Sequence, residues 1–256
     1  MQKAYVFSFH IPLVPTPFSF FDIGKGNSDY IVEQTTSKAI KDSVRLLQSL
    51  LKKVQNEDFK CSIYFSSTYL LFLNKDHSEI IKELKILIKK DLIELVGGTS
   101  YLSLNSMISA TLFKFEIENL QQLYSKILGK KSSIFLNTLN LYYNDLAKHL
   151  SDTSFKSCIV ESNQWHLNGV ESEGVMKAVK PSRLNLLLKN YSSYSEQSKF
   201  DLISINGDGT YCDKVLDKQF LKDLEAHSSL TLKSAISLCN IKSLSNYNVP
   251  MPLGLN

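Results

Sequence analysis

No stretch of this chain reaches the roughly 18 consecutive apolar residues that a membrane-spanning helix needs, so no membrane partner is expected. The opening Met1-Gln-Lys-Ala-Tyr-Val-Phe-Ser-Phe-His10 carries an apolar run too short for a secretory leader, and no small-residue cleavage site follows it. Cysteine is scarce and dispersed: Cys61, Cys158, Cys212 and Cys239 form no Cys-x-x-Cys pair, which argues against a disulfide framework or a thiolate metal site. They read as reduced thiols of a cytoplasmic protein. The histidines His10, His77, His149, His166 and His227 are scattered, without the paired spacing that a metal-dependent deacetylase requires, so neither a metal nor a cofactor is expected. Gly-x-Ser-x-Gly and Gly-x-x-x-x-Gly-Lys are also missing, which sets aside serine hydrolase and phosphate-loop chemistry. Charge of one sign is not concentrated anywhere. The net charge of +4 comes from 29 basic and 25 acidic residues with no basic block longer than two, so a nucleic acid partner is not expected.

What the chain does contain is an alternation. Seven short apolar segments, Ala4 to Phe9, Cys61 to Ser66, Leu92 to Val96, Ser133 to Leu136, Ser157 to Val160, Leu184 to Leu188 and Asp201 to Ile205, recur between longer helical patterns. Strands buried on both faces read as nearly continuous apolar runs, and crossover helices between them imply parallel pairing. Helical spacing is clearest over Lys38 to Val54, Ile80 to Ile88 and Phe113 to Leu128, the last stopped by Gly129. The expected fold is α/β: a distorted (β/α)7 barrel of parallel strands that uses nearly all 256 residues as one domain. The loop from Ile11 to Asp29, with Pro12, Pro15, Pro17, Gly24 and Gly26, is expected to be irregular.

Several separated segments resemble glycoside hydrolase family 57, the α-glucan-cleaving amylases and glucanotransferases. Ser133-Ile-Phe-Leu-Asn-Thr-Leu-Asn-Leu-Tyr-Tyr-Asn-Asp145 is similar to the family's Phe-Arg-Asn-Thr-Glu-Leu-Ile-Tyr-Asn, whose Glu is the nucleophile; Leu139 stands at that Glu. Val6-Phe-Ser-Phe-His10-Ile-Pro12 resembles Phe-x-Val-His-Gln-Pro, with Ile11 for Gln. Ile93-Glu-Leu-Val-Gly-Gly-Thr-Ser-Tyr-Leu-Ser-Leu104 resembles Val-Glu-Phe-Leu-Ala-Glu-Thr-Tyr-Tyr-His-Ser-Leu, with Gly98 and Leu102 replacing Glu and His. Lys180-Pro-Ser-Arg-Leu-Asn-Leu-Leu-Leu-Lys-Asn190 matches a family segment without a gap. The family's acid/base Asp falls on Ile205, Asn206 or Gly207, depending on where a gap is placed. The C-terminal helical region typical of the family is not expected in these 256 residues.

Retaining glycosidases need two carboxyl groups about 5 to 5.5 Å apart. A leucine cannot attack an anomeric carbon. The resemblance therefore implies a protein of α-glucan metabolism that has lost hydrolysis and binds α-glucan, a maltooligosaccharide or a protein partner. Substrate-contact candidates are His10, Tyr101, Asn137, Tyr142 and Trp165, and each has an alternative role in packing or hydrogen bonding. An active glycosidase or transferase would need relocated acids from Asp208, Glu161 or Asp22, each of which also reads as a cap or turn former. A third possibility is an interaction protein whose cleft is filled by Leu139, Leu102 and Ile11.

Overall fold

Seven parallel strands form the frame of the fold, and all seven coincide with the apolar segments of the sequence. They are β1 (Gln2–Phe9), β4 (Cys61–Phe65), β5 (Ile93–Val96), β6 (Ile134–Leu136), β7 (Ser157–Glu161), β9 (Asn185–Lys189) and β10 (Phe200–Asn206). The computed structural model describes residues 1–11, 13–15, 31–33, 38–57, 59–162, 171–178, 182–193, 195–207, 224, 226 and 228–243.

The strands form two curved sheets. One has the order β10-β1-β4-β5, with β11 (Ser229–Leu230) also beside β1. The other runs β12 (Lys242–Ser243), β8 (Val175–Lys177), β9, β7, β6. A bridge between Gly97 and Phe135 joins β5 to β6 near their C-terminal ends, so the parallel strands curl into a half-barrel. Away from that bridge the join is made by side chains. Ser132 Oγ donates to the Leu95 carbonyl at 2.7 Å, while Gln121 exchanges two hydrogen bonds with the Ser132 backbone at 2.9 and 3.0 Å.

Three helices carry the sequence periodicity: α1 (Lys38–Glu57), α3 (Ser78–Lys89) and α5 (Ala110–Leu128). Ile40, Val44, Leu47, Leu50, Leu51 and Val54 of α1 are all buried against the sheet. Helix α5 ends at Gly129 with φ 76°, a left-handed cap that a residue with a Cβ adopts only under strain. Further helices are α2 (Ser67–Asp76), α4 (Asn105–Ile108), α6 (Asn144–Ser151) and α7 (Leu232–Ser237). From α5, the Tyr124 hydroxyl reaches under the barrel: it accepts from the Phe65 N–H at 2.8 Å and lies 2.9 and 3.0 Å from the carbonyls of Phe65 and Val96. This ties the ends of β4 and β5 together.

Two departures from the sequence expectation have simple causes. Within the loop after β1, where irregular structure was expected, β2 (Leu13–Pro15) pairs antiparallel with β3 (Ile31–Glu33) just beyond that loop, because main-chain pairing needs no side-chain pattern and Pro15 sits at the end of its strand. Strand β8 is antiparallel to β9, an exception in an otherwise parallel second sheet. Cys61, Cys158 and Cys239 are free thiols. Among the described residues no helix is long and apolar enough to cross a membrane.

Candidate functional site

The C-terminal tips of the parallel strands gather on one face, the face on which barrels of this kind build their sites. Around it stand His10 after β1, Ser66 after β4, Gly97 and Gly98 after β5, Asn137 after β6, Glu161 and Ser162 at β7, Lys189 and Asn190 at β9, and Asn206 and Gly207 at β10. Ser66 both caps α2 and receives the β1 chain, its N–H donating to the Phe9 carbonyl at 2.9 Å. Thr68 Oγ1 then donates to the Ile11 carbonyl at 2.9 Å, and Ile11 itself is fully buried.

Two loops dominate the center of this face. Beyond β5, residues 97–104 are braced by Glu116 of α5, a buried carboxylate that accepts from Ser103 Oγ at 3.0 Å and from the Asn105 amide. Beyond β6, Thr138 Oγ1 donates to the Ser103 carbonyl at 2.7 Å, which fastens one loop to the other. Leu102 and Leu139 sit on these two loops with φ 54° and 60°, in the left-handed region that leucine rarely occupies. Leu139 is 68% exposed, and Leu102 is half-buried.

The substrate-contact candidates separate by burial. Tyr101 is 48% exposed and His10 is half-buried, whereas Asn137 and Tyr142 are buried. Asn137 Nδ2 donates to the Leu141 carbonyl at 2.9 Å, and the Tyr142 hydroxyl lies 3.3 Å from Asn144 Oδ1. The buried oxygens Asn137 Oδ1, Asn140 Oδ1 and Ser162 Oγ have no hydrogen-bond partner among the described residues. Trp165, Asp22 and Asp208 lie outside the described residues.

Among the described residues at the strand tips, Glu161 is the one carboxylate. It is held by the Asn190 amide and by Lys189 Nζ at 3.6 Å. Of the three places where the resemblance puts an acid/base Asp, one lies in the apolar core, where a carboxylate would lose its hydration, and one has no room for a side chain. Ile205 is buried, and a Cβ at Gly207 would come within 2.6 Å of the Phe9 ring. Asn206 is exposed. Gly98 is similarly confined: a Cβ there would meet the Tyr64 ring at 2.8 Å and the Leu136 carbonyl at 3.1 Å. Among the described residues no group of three His, Cys, Asp or Glu side chains is placed to hold a metal.

Sequence reasoning missed Glu116. The signal was present, since Phe113, Ile117, Leu120 and Tyr124 define the buried face of α5 and Glu116 interrupts it at helical spacing.

Comparison with known proteins agrees with this geometry. The chain is 26% identical over 143 residues to a putative alpha-amylase of Methanocaldococcus jannaschii, an alignment covering 56% of this chain and 30% of that protein. It superposes on the 4-alpha-glucanotransferase of Thermococcus litoralis with a TM-score of 0.69 at 15% identity, covering 96% of this chain and 42% of the other. A putative polysaccharide deacetylase from Mycobacterium smegmatis shares the fold at a TM-score of 0.56 and 7% identity, covering 93% and 90% of the two chains. The chain thus spans less than half the length of the first two. The sequence profile of Glycosyl hydrolase family 57 matches residues 4–222, a span that reaches all seven barrel strands and omits only the first two residues of β1, and the chain belongs to that family.

Proposed function

We propose that the chain binds an α-glucan or a maltooligosaccharide across the strand tips and does not cleave it. The observation that carries this reading is Leu139, exposed at the tip of β6 where the family resemblance places the nucleophilic Glu. Glycosidic bond cleavage by retention needs a nucleophile and an acid/base group on opposite sides of one sugar ring. Glu161 is a single carboxylate already engaged by Lys189 and Asn190, and it would need a second acid within roughly 10 Å to act. Removing such groups costs several kcal/mol of transition-state stabilisation but leaves binding and orientation intact.

Binding has its own support. Tyr101 offers an exposed ring for stacking on the apolar face of a sugar. The unpartnered oxygens of Asn137, Asn140 and Ser162 are acceptors that ligand hydroxyls would satisfy. The names of the relatives, a putative alpha-amylase and a 4-alpha-glucanotransferase, suggest the substrate class.

A second reading has an observation of its own. Leu104 just before α4, Ile108 at its end, and Leu112 and Phe115 at the start of α5 are all exposed, and with Leu139 they present apolar surface beside the site. Surface of this kind suits a protein partner, which could bind alongside a glucan or instead of one. Calorimetric titration with maltoheptaose tests the first reading. Saturable binding that weakens in Tyr101→Ala supports it, and absence of binding at millimolar sugar removes it in favor of the partner.

A further inference from the structure

At the opposite ends of the strands, where β4, β5 and β6 begin, a cavity of about 560 Å³ opens between the sheets. It lies on the side where β5 and β6 are no longer joined by their Gly97–Phe135 bridge. Its walls carry the five lysines Lys60, Lys90, Lys130, Lys131 and Lys233. These come from the ends of three different connections and from α7, so the cluster is made by the fold and not by a run in the sequence.

Five lysines around one cavity repel one another, and the two carboxylates there, Asp91 and Glu94, offset that charge only in part. Asp91 pairs with Lys130 at 3.0 Å, and its carboxyl is held below the ordinary carboxylate range chiefly by that hydrogen bond. It does so from a left-handed backbone, φ 54°. Glu94 is turned to a main-chain donor, the Lys233 N–H at 2.9 Å. Among the described residues, the ammonium groups of Lys60, Lys90 and Lys131 have no carboxylate partner. Ser133, Thr231 and Ser234 line the same wall.

We propose that this cavity binds a small, multiply charged phosphate-type anion. Its size falls in the range of ligand sites, about 300 to 1,000 Å³. Lysines converging from several directions act as point charges around a tetrahedral oxyanion, whereas planar carboxylates are better matched by the arginine fork, and no arginine is among the described residues that line the cavity. A concave, positively charged cleft also concentrates anions more strongly than the same charges spread over a convex surface. Extended single-stranded nucleic acid is a poorer fit, because no aromatic side chain is present among the described lining residues for bases to stack on. This inference is independent of the glucan reading, since it uses no residue of the strand-tip face.

The test is calorimetric titration of the full chain with inorganic pyrophosphate at low salt. One saturable site is expected, weakening as salt screens the charges. The Lys60→Gln/Lys131→Gln double variant should weaken binding about tenfold, since two charge-assisted contacts are lost. Asp91→Asn should strengthen it about threefold by releasing Lys130, and asparagine tolerates the left-handed backbone. Lys82→Gln/Lys85→Gln, on the exposed face of α3, should leave the Kd unchanged. ADP and a hexose phosphate titrated in parallel separate nucleotide from sugar as the carrier of the phosphate, the tighter binder naming the class. No saturable heat with any of the three, or an equal loss in the Lys82/Lys85 control, would overturn the proposal.

Discussion

Thr138 Oγ1 donates to the Ser103 carbonyl at 2.7 Å, and this bond joins the two loops that carry Leu102 and Leu139 in left-handed conformation. A left-handed leucine costs of order 1 to 3 kcal/mol and persists only where the surroundings impose it. Glu116 imposes it from behind, through Ser103 and Asn105. The backbone of the site is therefore held in a demanding shape although apolar side chains occupy it.

Because Leu139 is largely exposed, its side chain contributes little packing to offset the strain. Replacing it with Asn, which accepts positive φ, should leave stability unchanged or raise it by up to about 1 kcal/mol. The midpoint of urea unfolding reads this. A loss of more than about 1 kcal/mol would mean that Leu139 is held by contacts that its exposure does not reveal.

Tyr124→Phe should cost about 1 to 3 kcal/mol, because the Phe65 N–H and the Phe65 and Val96 carbonyls would remain buried while their shared hydroxyl is gone. Chemical denaturation measures the loss. No change would show that water replaces the hydroxyl without penalty.

Gly98→Ala should destabilise by about 1 to 3 kcal/mol through collision with the Tyr64 ring, which is itself anchored by its hydroxyl donating to the Thr99 carbonyl at 2.7 Å. Restoring a family-like Glu at this position should cost at least as much. A thermal scan showing wild-type stability for the alanine variant would contradict the packing argument.

Burial raises the carboxyl of Glu94 above its ordinary value of 4.5, outweighing the Lys233 N–H and the nearby ammonium groups. An acid whose folded value is raised contributes stability that is present below the unfolded value and is lost as pH rises through the folded one. Glu94→Gln removes that titration and keeps an acceptor for the Lys233 N–H. Relative to the parent, the variant should therefore gain stability between about pH 4 and about pH 7. Urea midpoints at the two pH values read the difference, and a constant gap would contradict it.

The seven parallel strands were legible in the sequence because most of their residues are buried and leave short, nearly continuous apolar runs. Helix α2 was not, because only Ser66 separates it from β4, and Tyr69-Leu-Leu-Phe-Leu73 is apolar throughout and so shows no helical period. Strands β8 and β12, three and two residues long, are too short to show any pattern. At the site, His10 and Asn137 could be read because they directly follow strands. The Glu116 brace and the lysine cavity could not be read so easily, since Ser103, Asn105, Glu116 and Thr138 in one case, and Lys60, Lys90, Lys131 and Lys233 in the other, meet only through the crossovers.

The most direct test of the account is prolonged incubation of the purified chain with maltoheptaose, followed by mass spectrometry of the sugars, which detects hydrolysis and glucan transfer together. The account predicts that maltoheptaose is recovered unchanged at every time point. Shorter or longer oligosaccharides accumulating in proportion to protein would contradict it and would require a working pair of carboxylates at the strand tips.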